Sequence, residues 1–238
     1  MIVDLGNERF TDMVHKRICV VGTGIGGGSF IDRYLKKKDD IVVIEAGSTH
    51  ENTSIRSDSV GRVFGLAITR EISLGGTSNV WRGLCSPLDR IDFTTRQWID
   101  KSGWPVDRND MEPYYVEACR ILGLRGFSYF VPNQIDPKIR ALEHGFDFDH
   151  SLFSNKYFLH KRPPTNFRHN ILQHFDSRKK LLLMNTVAVE IITNREGNVV
   201  EKMLAKSPRG ETIEIYAKYF VISAGALETP RLLLNSGK

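Results

Sequence analysis

The stretch Lys16-Arg17-Ile18-Cys19-Val20-Val21-Gly22-Thr23-Gly24-Ile25-Gly26-Gly27-Gly28, completed by Ile41-Val42-Val43-Ile44-Glu45-Ala46-Gly47, decides the fold. Residues 16–21 form a short apolar run suited to a strand buried on both faces, as parallel strands are. Gly22, Gly24 and Gly27 follow with G-x-G-x-x-G spacing. A helix is predicted over about residues 26–37, with Phe30, Ile31, Tyr34 and Leu35 on one side. Lys36, Lys37 and Lys38 close it, where cations suit the helix dipole. Asp39 and Asp40 break the pattern, and residues 41–44 make a second buried strand. Strand, glycines, helix and strand within about 30 residues are a β-α-β unit.

The chemistry of that unit is specific. Gly22 permits a tight turn, Gly24 has no Cβ to keep the backbone from a pyrophosphate, and Gly27, helped by Gly28, lets helix and strand pack closely. The exposed N–H groups and dipole at the helix start then hold phosphate charge. Glu45 closes the second strand 23 residues beyond Gly22. A carboxylate there accepts hydrogen bonds from both ribose hydroxyls and repels a 2′-phosphate. The bland alternative is a glycine-rich turn without a ligand and a chance acid. The flanking strand and helix are the context that separates the two. By itself the unit serves flavin and nicotinamide dinucleotides alike.

Outward from this core, the chain has 238 residues, 41% hydrophobic and 26% charged, an ordinary globular composition. No run approaches the roughly 18 apolar residues of a membrane span, and residues 1–10 carry acids without the apolar segment of a signal peptide. A cytoplasmic location is expected. Three cysteines, Cys19, Cys85 and Cys119, lack CxxC spacing, which speaks against a disulfide scaffold or a zinc site. The net charge of +5 is scattered rather than gathered into a basic run, so no nucleic-acid partner is expected. Residues 48–90 read as mostly loop. Helices are predicted over 94–100 and 110–122, the latter capped by Asn109 or Asp110 and stopped by Gly123. Residues 125–165 show no clean period. Strands over 181–193, 199–207 and 211–219 read as an antiparallel meander, followed by a last buried strand over 220–223 and a helix starting near Thr229-Pro230.

Four segments, in order, resemble the glucose–methanol–choline (GMC) oxidoreductase family. They are Gly22 to Gly28 with Glu45-Ala46-Gly47; Leu74-Gly75-Gly76-Thr77-Ser78-Asn79-Val80-Trp81-Arg82-Gly83; Ser102-Gly103-Trp104-Pro105 through Pro113-Tyr114-Tyr115 to Leu122-Gly123; and Ser223-Ala224-Gly225-Ala226-Leu227-Glu228-Thr229-Pro230-Arg231-Leu232-Leu233. The resemblance implies an α/β fold: a Rossmann-like FAD/NAD(P)-binding fold with a parallel sheet, a β-meander and an incomplete second, substrate-side region. Residues 1–124 and 180–238 are expected to form a discontinuous FAD-binding domain, and 125–179 part of the substrate-side region. The implied cofactor is FAD, and the implied site residues are Gly22, Gly24, Gly27, Glu45, Ala46, Gly75, Gly76, Thr77, Ser78, Asn79, Ala188, Ala224 and Gly225. In such enzymes the segment like Gly75 to Asn79 runs beside the pyrophosphate and flavin ring; paired glycines there allow close approach, and Thr77, Ser78 and Asn79 offer donors. The backbone near Ala188 is expected against adenine. Some superfamily members attach the flavin through a histidine in the glycine-rich segment; Val80 stands at that place here, so noncovalent FAD is expected.

The resemblance further implies hydride transfer from the CH–OH group of an alcohol or sugar to flavin N5, with a histidine base near the end of a much longer chain. His15, His50, His144, His150, His160, His169 and His174 match no such motif, and Asp147, Asp149 and His150 lack a metal-ligand pattern. No catalytic residue and no metal are therefore assigned. The sequence stops soon after its last predicted helix begins, so it is expected to be truncated before the catalytic histidine. A noncatalytic flavin-binding or interaction protein derived from such an enzyme is the alternative; the oligomeric state is left open. Gly24→Val is predicted to abolish flavin retention, read as loss of yellow colour. A purified wild-type chain that is colourless and takes up NADH but not FAD overturns the flavin assignment.

Overall fold

A computed structural model describes residues 1–10, 12–35, 40–50, 70–130, 149, 152–153, 155–173, 175 and 179–237. Its elements in chain order are β1 (Ile2–Asp4), β2 (Val14–Val21), α1 (Ile25–Leu35), β3 (Ile41–Ile44), a 3₁₀ turn (Gly76–Asn79), α2 (Arg90–Phe93) and α3 (Glu112–Leu122). A 3₁₀ turn (Phe127–Phe130), α4 (Phe167–Leu172), β4 (Lys180–Met184), β5 (Val187–Thr193), β6 (Val200–Lys206), β7 (Thr212–Ile222) and α5 (Gly225–Asn235) follow. The chain forms two bodies, Met1–Trp81 with Asn166–Lys238, and Arg82–Thr165.

The first body is built on one seven-stranded sheet in the order β1-β4-β3-β2-β7-β6-β5. β1, β4, β3, β2 and β7 run parallel, and β5, β6 and β7 pair antiparallel, so the fold is a mostly parallel α/β sheet with a meander at one side. β3 sits inside the parallel stack with all four residues buried, which explains its unbroken Ile-Val-Val-Ile run: a strand covered on both faces has no polar side. Val21, Val42, Ile44, Leu183, Met203 and Ile215 belong to one contiguous buried cluster.

Several expected boundaries shift, each for a local reason. The single strand foreseen over 181–193 is two strands. Asn185 takes φ +52, a left-handed conformation Asn tolerates better than most residues, and ends β4 there. Its amide then donates to Gly47 O (2.9 Å) and that of Thr186 to Glu45 O (2.9 Å), turning the chain across the end of β3 before β5 begins. The lead-in holds a strand of its own, β1, whose register with β4 places Val3 opposite Leu183. β7 runs through what was expected to be a break at 219–220, because the same strand pairs β6 on one edge and β2 on the other. α5 starts at Gly225 rather than near Pro230, which lies inside the helix. Burial of Leu232 in the core offsets the hydrogen bond that proline cannot donate.

In the second body, the helix expected over 94–100 is absent. The Asp89–Asp92 capping box starts α2 four residues earlier, and Thr94 is already extended. The Ser102 hydroxyl then takes both backbone groups of Arg96, accepting from its N–H (2.8 Å) and donating to its carbonyl (3.0 Å). α3 ends at Gly123, φ +66, as the sequence suggests, but its N-cap is Met111. Asp110 is engaged instead by the amide of Asp107 (2.9 Å). The body boundaries also differ from the expected 124/125 and 179/180. Residues 82–124 fold with 155–165, as the Cys85–Leu159 bridge and the Thr165 hydroxyl donating to Leu122 O (2.8 Å) illustrate, whereas α4 packs on α1 in the first body. His144, Asp147, His150 and His174 lie outside the described residues, as do Lys36, Lys37 and Lys38.

Glycines of the first turn divide by what surrounds them. A Cβ on Gly27 would sit 2.0 Å from Gly22 O, and one on Gly28 2.5 Å from the Phe167 ring; one on Gly24 would meet nothing within 4 Å. Gly27→Ala is therefore expected to lower stability by about 2 kcal/mol or more, and Gly24→Ala by no more than about 0.5 kcal/mol. Urea denaturation of the two variants checks the contrast.

Candidate functional site

The carboxyl ends of the central strands open onto a cavity of about 670 Å³, within the usual range for small-molecule sites. It lies in the first body at the place where parallel α/β sheets bind ligands, beyond the strand ends. Gly22 N–H donates to Ile44 O (2.8 Å) and Ser223 N–H to Val21 O (2.8 Å), so the turns after β2, β3 and β7 are laced together at its floor. Two eleven-residue helices, α1 and α5, begin beside it. Gly24, Ile25 and Gly26 from one, and Ala224, Gly225 and Ala226 from the other, line the wall. The first N–H groups of a helix have no partner within it, so two sets of donors and two positive dipole ends converge on this space.

Glu45 lines the same cavity and is almost fully buried. Its Oε2 accepts from the Thr23 amide (3.0 Å) and from the Thr23 hydroxyl, and its Oε1 accepts from the Gly47 amide (2.9 Å). Burial holds the carboxyl above the usual carboxylate range, with the Thr23 and Gly47 groups pulling the other way. Thr23, itself fully buried, also accepts from the Gly75 amide through Oγ1 (2.9 Å). One threonine therefore ties the glycine turn, the end of β3 and the loop before the Gly76–Asn79 turn. Sequence reading passed over it as the variable residue between two glycines; a small hydroxyl at that place was the available signal.

Among the residues singled out from sequence, Gly22, Gly24, Glu45, Ala46, Gly76, Thr77, Ala188, Ala224 and Gly225 come together around the cavity. Gly27, Gly75, Ser78 and Asn79 are placed behind it. Gly27 packs on the Gly22 carbonyl, and a Cβ on Gly75 would stand 2.9 Å from both Arg168 N and Asn79 Oδ1. Ser78 donates to Gly75 O (2.6 Å) and accepts from the Phe167 amide (3.2 Å). Asn79 Nδ2 donates to Glu71 Oε1 (2.9 Å), Ser73 Oγ (2.9 Å) and Leu74 O (3.0 Å). Their polar atoms organise the turn from within, leaving Gly76 and Thr77 to face the cavity. Charged groups at the wall that the sequence did not flag are Arg70, Glu71, Glu228 and Arg231; Glu228 pairs with both arginines, which draw its carboxyl below its ordinary value against the effect of burial. Among the described residues there is no group of three or more His, Cys, Asp or Glu that could hold a metal, and no helix is long and apolar enough to cross a membrane.

No family model matches the chain, and no curated protein does. Solved structures do share its fold. A formate oxidase from Aspergillus oryzae RIB40, studied for the effect of a mutation on FAD modification, superposes with a TM-score of 0.58 at 15% identity over 96% of this chain and 48% of that one. Pyridoxine 4-oxidase from Mesorbium loti gives 0.57 at 20% identity over 93% and 52%. A fungal aryl-alcohol oxidase gives 0.58 at 14% identity over 93% and 48%. The chain spans about half the length of these structures. Its fold is the one expected from the four sequence segments.

The raised Glu45 carboxyl gives a signed pH dependence. The folded chain holds this proton to higher pH than the unfolded chain, whose value is near 4.5. The stability linked to it is complete below that pH and is lost as pH rises through the folded value. Glu45→Gln should remove this decline, so the difference in urea midpoint between wild type and variant should grow in the variant's favour from pH 4.5 upward in FAD-free protein. A parallel pH profile for the two proteins would refute the assignment.

Proposed function

We propose that this chain is the FAD-binding portion of a GMC-type oxidoreductase acting on the CH–OH group of an alcohol or sugar. The observation that carries the reading is the open cradle beside Gly24: beyond its two chain neighbours, a Cβ there would meet no atom within 4 Å, while two helix N-termini and a buried carboxyl face the same cavity. That arrangement fits a diphosphate flanked by a ribose, with the α1 and α5 amides toward the phosphates and Glu45 toward the sugar hydroxyls. Each carboxyl oxygen of Glu45 has two lone pairs, and one facing the cavity can accept from a sugar hydroxyl. Val187, Ala188 and Val189 supply a wall against which a flat base stacks.

Bound FAD supplies the chemistry of accepting a hydride. What this chain's residues contribute is binding and orientation: the Gly76–Thr77 backbone borders the cavity, and Thr23 holds it in register with Glu45. Noncovalent attachment is proposed from the sequence, where Val80 stands at the place of the linking histidine. The carboxyls that line the cavity, Glu45, Glu71 and Glu228, are engaged by Thr23 and Gly47, by Asn79 and Arg168, and by Arg70 and Arg231, so no base is assigned among the described residues.

Titration of the chain with FAD, followed by acid precipitation, tests the reading. One flavin per chain, released to the supernatant by acid, is expected. Anaerobic bleaching of the bound flavin by a member of an alcohol and sugar panel then identifies an oxidoreductase; bound flavin that none of them bleaches points to a noncatalytic flavin-binding protein. Failure to take up FAD sinks the proposal.

A further inference from the structure

A polar cluster joins the loop before the Gly76–Asn79 turn to the start of α4. From α4, Arg168 donates through Nε to Leu74 O (3.2 Å) and through Nη2 to Ser73 Oγ (3.2 Å) and Glu71 Oε1 (3.3 Å). Asn79 Nδ2 grips the same three acceptors from the turn itself. Ser73 also donates its hydroxyl to Glu71. The pair of Arg168 and Glu71 is largely buried, with side chains 28% and 12% exposed. The Arg168 amide stands 2.9 Å from the point where a Cβ on Gly75 would be, so the same residue closes over the loop with backbone and side chain together.

Arg168 is not part of the cavity lining, but everything it holds leads there. Glu71 borders the cavity, Gly75 next to Leu74 donates to Thr23, and Gly76 and Thr77 are the next cavity residues. We propose that Arg168 is a positioning residue for the dinucleotide site: its guanidinium clamps residues 71–75 so that Gly76 and Thr77 are presented to the phosphates. This rests on the FAD reading above. The planar fork suits the task, since it directs N–H groups to a carbonyl, a hydroxyl and a carboxylate at once, which the point charge of lysine does not.

Three variants of the whole chain test it: Arg168→Met, Arg168→Lys and the double variant Glu71→Gln/Arg168→Met. Two readouts are needed, amide hydrogen exchange in FAD-free protein and the FAD dissociation constant by flavin fluorescence. Arg168→Met should speed exchange of residues 71–79 and weaken FAD binding, each by about tenfold. Exchange in β2, β3 and β4 should stay unchanged, and Arg168→Lys should fall between. The double variant leaves no uncompensated buried charge and gives the same answer where Arg168→Met fails to fold. FAD affinity altered by less than about twofold, or exchange raised uniformly through the sheet, overturns the positioning role. Wild-type chain that takes up no FAD overturns the FAD reading and this role with it; FAD uptake equal in wild type and the folded variants overturns this role alone.

Discussion

The site hangs on one buried carboxylate. Taking the Glu45 side chain out of water is costly, and the cost is offset only if its oxygens are met by donors. The structure meets them with the amide and hydroxyl of Thr23 and the amide of Gly47. Because those donors belong to the turn after β2 and the turn after β3, satisfying Glu45 also fixes the spacing of the two strand ends. The hydrogen bond from Gly75 to Thr23 extends the constraint to a third segment more than 50 residues away. Satisfying this acid and shaping the cavity are therefore one structural event.

A second layer of organisation lies behind the wall. The Ser78 hydroxyl, Asn79 Nδ2, the Glu71 carboxyl and the Arg168 guanidinium are bonded to one another and to the loop backbone, while Asn79 Oδ1 is buried without a partner among the described residues. Such a network is stabilising only when its members are paired, and a paired network rigidifies the groups it holds. The result separates two roles that look alike in a list of glycines and polar residues. Gly76 and Thr77 are presented to the cavity, whereas Gly75, Ser78 and Asn79 make the presentation possible. Within the glycine turn the same division holds: Gly24 faces open space, and Gly27 and Gly28 are consumed by close packing on Gly22 and Phe167.

What was legible in the sequence follows from how local the determining physics is. β2, β3 and the intervening helix were readable because buried parallel strands need unbroken apolar runs and glycines punctuate the chain. Gly123 was readable as a helix stop for the same reason. The helix imagined over 94–100 was not, because a hydroxyl six residues on from Arg96 takes its backbone groups. Nor was the break at Asn185, a left-handed residue in the midst of an apolar stretch whose significance depends on Gly47 and Glu45 lying beside it.

The sequence by itself determined a β-α-β dinucleotide unit, the residue types of its phosphate turn and the acid at the tip of the second strand. Each depends on neighbours within a few turns of chain. Tertiary structure alone decided which members of the glycine-rich segment face the cavity, that Thr23 is the hub, and that a distant arginine holds the loop. Those facts depend on hydrogen bonds between groups 22 to 97 residues apart, and a hydrogen bond is set by direction and distance in space, which no pattern along the chain encodes.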